Sequence, residues 1–142
     1  MTRPAVTPEE IARVYPQVAE LVADALGVSP GRIRPDVSLI EELDAESIDF
    51  LDLVFRLEQT FDVKIPRGQI VADARGDLPE TEFEQKGLLT EAGLHQLRAF
   101  LSEVPSNRFR SPMRTADIPR LFTPETFCKV VLRAQRDARA AA

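Results

Sequence analysis

The sequence predicts an all-α protein: a small up-and-down bundle of three to four main helices, with an inserted helix and loops before the last one. Three observations carry this expectation. Two segments, Thr7-Pro8-Glu9-Glu10 and Thr123-Pro124-Glu125, open as helices do, with threonine as N-cap and proline at the first helical position. Apolar side chains then recur at three- and four-residue intervals. No convincing pair of alternating strands is present.

The first helix begins at Thr7, with Glu10 closing a capping box. Ile11, Val14, Val18, Leu21, Val22, Ala25 and Leu26 follow at helical spacing, and Gly27 ends the run. Pro16 lies inside it and is expected to kink the helix or split it in two. Residues 28–45 contain Pro30, Gly31 and Pro35 and read as a loop pinned to the core by Val28, Ile33, Val37, Leu39, Ile40 and Leu43.

A second helix is expected over Ser47–Phe61, stopped near Asp62-Val63-Lys64-Ile65-Pro66 because proline pushes its predecessor out of the helical region. Asp73 to Glu84, acidic and holding Gly76 and Pro79, reads as a loop. Thr90 then caps a helix whose face is Leu94, Leu97, Phe100 and Leu101, running toward Pro105. Residues 105–119, with three prolines, are expected to wander. In the last helix Phe127, Val130, Val131 and Ala134 sit at i, i+3, i+4 and i+7.

Composition narrows the function. The chain has 142 residues, 44% hydrophobic and 29% charged, an ordinary globular balance that needs no staple and fits one domain spanning 1–142. No stretch approaches the ~18 apolar residues of a membrane span. The N-terminal Met1-Thr2-Arg3-Pro4 has no apolar run behind it and is not a signal peptide. A lone Cys128 forms no internal disulfide, which suits the cytoplasm. With no Trp and one Tyr, few side chains suit base stacking.

The net charge of −5 is uneven: residues 1–66 carry 6 basic and 13 acidic side chains, residues 106–142 carry 8 and 3. The acidic half argues against nucleic acid as a partner and favours basic protein surfaces. The basic end reads as a contact for nucleic acid or anionic lipid, or as the solvated face of a last helix.

On a wheel of ~100° per residue, Phe50, Leu53, Val54, Leu57 and Phe61 form a core stripe. Ile48, Asp52, Phe55 and Gln59 stack on the opposite side, flanked by Asp49. Two readings of that strip stand. Either the segment 67–119 covers Ile48 and Phe55 as a second core face, or the strip is a docking surface of apolar anchors ringed by charge.

The run from Leu43-Asp44-Ala45-Glu46-Ser47-Ile48 to Glu58, Phe61, Asp62, Ile65 and Pro66 resembles the centre of acyl carrier proteins. There a Leu-Gly-x-Asp-Ser-Leu segment opens the second helix, which runs into Glu-x-x-Phe-acidic-x-x-Ile-Pro. Leu26-Gly27-Val28, Ser38-Leu39 and Glu41-Glu42-Leu43 resemble the flanking stretches. The likeness covers about residues 16–70, and the last helix from Leu121 more loosely.

The resemblance implies that Ser47 is esterified to 4′-phosphopantetheine by a phosphopantetheinyl transferase drawing on coenzyme A. The protein is then a carrier and not an enzyme, holding acyl groups as thioesters in fatty-acid, specialised-lipid or polyketide-type synthesis. Asp44, Glu46, Ile48, Asp49, Asp52, Phe55 and Glu58 resemble the recognition face for basic surfaces of acyl-loading and acyl-processing enzymes. Aminoacyl or peptidyl carriage is one alternative, and an unmodified interaction module, with Ser47 merely a helix cap, is another.

The chain departs from that pattern. Glu46 stands for the aspartate before the serine, Asp44 for the glycine, and Arg56 sits beside Phe55 where a small residue is commoner. The core is expected over 7–70 and 121–138, with an insertion at about 71–119 on the edge of the second and third helices. That insertion shapes a cavity, adds a docking surface or merely adds core. His95 and Cys128 sit on separate elements and make no catalytic pair, and Cys128 reads as a buried structural cysteine. No Cys/His cluster has metal-ligand spacing, and the protein is expected to be a monomer.

Overall fold

The structure, a computed structural model, describes residues 6–66 and 68–141. The leader reading of Met1-Thr2-Arg3-Pro4 lies outside the described residues. The protein is a small, mostly helical bundle. Helix α1 spans Pro8–Leu26, α2 Ser47–Phe61, α3 Gln69–Arg75, α4 Glu80–Phe83, α5 Glu91–Phe100 and α6 Pro124–Ala141. Helix α1 packs against both α2 and α6, and α5 packs against α3.

The two Thr-Pro starts behave as their chemistry dictates. The Thr7 hydroxyl accepts from the Glu10 amide, and the Glu10 carboxylate accepts from the Thr7 amide at 3.1 Å. At α6 the reciprocal partner is a second threonine: Thr123 Oγ1 accepts from the Thr126 amide at 3.2 Å, and Thr126 Oγ1 from the Thr123 amide at 3.1 Å. Gly27 ends α1 in the left-handed conformation. Pro16 does not divide α1, which is one unbroken helix across it. Packing of Val14, Val18 and Val22 into the core outweighs one missing backbone donor.

Helix α2 has its expected limits but a different stop. Asp62 takes φ +53 and its amide bonds back to the Glu58 carbonyl, so the helix closes in a left-handed cap four residues before Pro66. The loop before α2 is anchored by buried Val37, Leu39 and Leu43, with Ile33 and Ile40 packed against the core.

The region after Pro66 is more ordered than expected. Asp73–Glu84 is not one loop. Gly68, at φ +82, starts α3, whose last residues cover Asp73–Arg75, and α4 occupies Glu80–Phe83. Both helices are too short to display a period, and α3 holds because Ile70, Val71 and Ala74 pack onto the core. A two-residue hairpin, β1 Glu84–Gln85 with β2 Leu88–Leu89, was not visible in the sequence. Lys86 and Gly87 both take positive φ, which a two-residue hairpin turn requires.

Helix α5 is capped by Thr90 as expected and ends at Phe100, with Leu101 as its C-cap, short of Pro105. Residues 105–119 do not wander freely. They form two 3₁₀ stretches, Ser106–Arg108 and Thr115–Leu121, held by buried Phe109, Met113, Ile118 and Leu121.

One hydrophobic core runs from Val18 and Val22 through Leu53 and Leu57 to Phe83, Leu97 and Leu101 of the insertion and Val131 of α6. Phe50, Phe122 and Phe127 meet with centroids 5.8–6.1 Å apart, edge-to-face in two of the three pairs. Each such pair adds about 0.5–1.5 kcal/mol beyond its buried area. The trio ties α2 to the start of α6. No described helix is long and apolar enough to cross a membrane.

Candidate functional site

The loop before α2 sets the position of Ser47. The Asp44 amide bonds to the Ile40 carbonyl at 3.1 Å and the buried Ala45 amide to the Leu39 carbonyl at 2.9 Å. Asp44 itself takes φ +57, a conformation that glycine adopts freely and aspartate tolerates better than most residues. The backbone explains why glycine suits this position and why aspartate can replace it.

Glu46 is the N-cap of α2, and Asp49 accepts from its amide at 2.8 Å. Ser47 is therefore the first helical residue and not the cap, so the reading of Ser47 as a mere cap does not hold. Its side chain is exposed, and its hydroxyl has no hydrogen-bond partner among the described residues. The amides of a helix's first turn lack carbonyl partners, so the position suits a negatively charged substituent.

Ser47 opens on an open groove of about 740 Å³, lined on the α2 side by Phe50, Leu51 and Val54, on the α3 side by Ile70 and Val71, and across it by Pro119 and Phe122. An exposed hydroxyl beside an apolar trough suits a flexible arm bearing an apolar load.

The strip on the outer face of α2 is uncovered. Ile48 is 69% exposed and Phe55 59%, which excludes the reading that segment 67–119 buries them. Leu51, 53% exposed, joins them and was missed. Its place between Ile48 and Phe55 at i, i+3 and i+7 was the available signal.

The acids around the strip differ in what they do. Asp44 and Glu46 are exposed, whereas Asp52 is paired with Arg56 one turn on at 3.1 Å. Glu58 is half-buried and accepts from the Ile65 amide at 2.8 Å, tying down the chain after α2.

The insertion is clamped to the bundle through α6. Lys129 Nζ lies 2.7 Å from Glu103, and also donates to the Phe100 carbonyl at 3.1 Å and Ser102 at 3.3 Å. Arg133 stacks over Phe100 at 4.2 Å. Insertion residues 115–121 then form the far wall of the groove, a pairing across nearly 70 residues that no local pattern announces.

Among the described residues, neither the histidine nor the cysteine forms a catalytic group with Ser47. His95 is exposed on α5. Cys128 is fully buried, and burial, then the Glu125 carboxylate, push its thiol up to about 12. No group of metal-ligating side chains occurs among the described residues.

The family model for the phosphopantetheine attachment site matches residues 16–75, from within α1 to the end of α3. An acyl carrier protein of Sulfurovum sp. is 39% identical over 61 residues, which cover 43% of this chain and 81% of the relative. The chain belongs to the acyl carrier protein family. An acyl carrier protein of Bdellovibrio bacteriovorus is 36% identical over 53 residues, covering 37% of this chain and 68% of its own. One of Syntrophobacter fumaroxidans is 35% identical over 57 residues, covering 40% and 70%. No solved structure gives a significant match.

As an acyl carrier protein, the chain is a carrier and not a catalyst, it has the site for covalent 4′-phosphopantetheine, and it works with partner enzymes. The arm supplies a terminal thiol on which acyl groups form thioesters. The exposed Ser47 hydroxyl and the adjoining groove fit such a group. The family match ends at residue 75, so α4, β1, β2, α5 and the two 3₁₀ stretches lie beyond it.

Proposed function

We propose that Ser47 bears the 4′-phosphopantetheine arm and that the carrier holds acyl intermediates for enzymes of fatty-acid, specialised-lipid or polyketide-type synthesis. The observation that supports this most is the Ser47 hydroxyl itself, exposed, unpartnered among the described residues and set at the head of α2 on the rim of the apolar groove. A phosphopantetheinyl transferase would take the hydroxyl proton, because no histidine lies nearby in the chain. The new bond joins Ser47 Oγ to phosphorus, and adenosine 3′,5′-bisphosphate leaves from coenzyme A.

The outer face of α2 is the docking surface. Ile48, Leu51 and Phe55 are its apolar anchors, and Asp44, Glu46, Asp49, Asp52 and Glu58 supply the negative field for basic partner surfaces. Arg56 offsets Asp52, so the charge that steers partners is weighted toward the Ser47 end of the helix. The apolar groove favours an acyl cargo over an aminoacyl or peptidyl one.

The core that joins α1, the insertion and α6 supports a single domain over 1–142 in which the insertion is structural as well as wall-forming. A lone buried cysteine with no disulfide partner suits a reducing compartment, in keeping with a cytoplasmic carrier.

Incubating the apo protein with coenzyme A and a broad-specificity transferase, then taking an intact mass, tests the reading. One phosphopantetheine is expected on the unsubstituted chain and none on Ser47→Ala. Gain by the alanine variant moves the site elsewhere.

A further inference from the structure

The stretch Thr115–Leu121 separates two concavities. On one side is the groove that opens at Ser47. On the other is a cleft of about 690 Å³ lined by Arg108, Arg110, Arg114 and Arg120 against Glu41, Glu42 and Asp117. Arg114 and Arg120 line both. A helix-bundle carrier has no structural need for two guanidinium groups on the wall of an apolar groove.

Their geometry is that of a held pair. Asp117 accepts from Arg114 Nε at 3.3 Å and Nη2 at 3.5 Å, and lies 3.5 Å from Arg120 Nε. Arg120 Nη1 lies 2.9 Å from Glu41. Hydrogen bonding from Arg114 holds the Asp117 carboxyl below its ordinary range, so Asp117 stays ionised and keeps both arginines in place. Each guanidinium has five N–H donors, and these contacts leave several unspent. With side chains 69% and 54% exposed, the remaining donors are accessible. Around the cleft, four guanidiniums face three carboxylates, an excess of positive charge.

We infer that Arg114 and Arg120 bind an anion tethered through Ser47, with Asp117 as their positioning residue. The inference rests on the assignment of the arm to Ser47. Such an anion has two sources: the phosphodiester of the arm, or a carboxylate at the far end of the acyl cargo. Both offer oxygens that a guanidinium fork bonds in pairs. Recognition is modest because the pair is exposed, so it biases the arm toward the groove without trapping it there.

The test uses the full chain, ¹⁵N-labelled, in apo form, with the arm alone, with an octanoyl amide analogue on the arm, and with an eight-carbon chain ending in carboxylate. The readout is the arginine Nε–Hε resonances, assigned with Arg114→Gln and Arg120→Gln. Movement of both on adding the arm alone identifies the phosphodiester, and movement only with the carboxylate-ended chain identifies the cargo. Where the carboxylate-ended cargo is the species that moves them, its thioester counterpart hydrolyses about threefold faster in the double variant than in the unsubstituted chain. Arginine resonances unmoved in every modified form overturn the inference while leaving Ser47 as the attachment residue. Failure to take the arm, read by mass beforehand, removes both.

Discussion

Lys129 of α6 lies 2.7 Å from Glu103 of the insertion, with side chains only 9% and 4% exposed. Glu103 also accepts from the Thr126 hydroxyl at 2.6 Å, so both ions are satisfied inside the protein. A buried pair of this kind contributes little over an apolar substitute but is costly to break from one side. Lys129→Ala is expected to cost about 3–5 kcal/mol by urea unfolding, because it strands the Glu103 charge. The double variant Lys129→Met with Glu103→Leu should recover most of that loss.

The same logic separates the outer face of α2 from the core. Ile48→Ala and Phe55→Ala remove exposed side chains and should change stability by no more than about 0.5 kcal/mol. Both should slow modification by a transferase, measured as the rate of mass gain. Leu53→Ala, on the opposite face and fully buried, should cost about 2–5 kcal/mol.

Asp44 sits at φ +57. Asp44→Gly should leave the urea midpoint nearly unchanged, since glycine accepts this conformation. Asp44→Val should lower stability by about 1–2 kcal/mol, because a β-branched side chain clashes there.

Cys128 should resist alkylation by maleimide or iodoacetamide at pH 8 in the folded protein, its thiol being fully buried and pushed up to about 12. In denaturing urea it should react at once. Fast labelling of the native chain would mean that α6 opens readily.

Glu10 links helix start to pH. The bond from the Thr7 amide is the main cause holding its carboxyl below the ordinary value, with Arg136 of α6 adding to it at 2.8 Å. A carboxyl depressed in the folded state contributes stability that is present above its unfolded value and lost as pH falls through the folded one. Thermal midpoints should therefore decline as pH falls below about 4.3, and Glu10→Ala should flatten part of that decline.

Helices α1, α2, α5 and α6 were legible because caps and periodicity are local. Thr7, Gly27, Thr90 and Thr123 each stand where the backbone begins or ends a helix. Helices α3 and α4 were not, since seven and four residues carry no measurable period. The order of residues 105–119 comes from buried Phe109, Met113 and Ile118, and Leu121 just beyond, at irregular spacing that pattern analysis cannot weigh. Ser47 and the outer strip were readable in one helix, Leu51 excepted. The groove was not, because its far wall comes from Pro119 and Phe122, placed there by Lys129, Glu103 and the aromatic trio.

Peptide-level mass spectrometry of the carrier purified from its native host tests the assignment of Ser47 most directly. The expected result is phosphopantetheine on the peptide containing Ser47, with fragment ions placing it on that hydroxyl. The arm found on any other residue, or Ser47 unmodified while the host's other carriers are loaded, would contradict it.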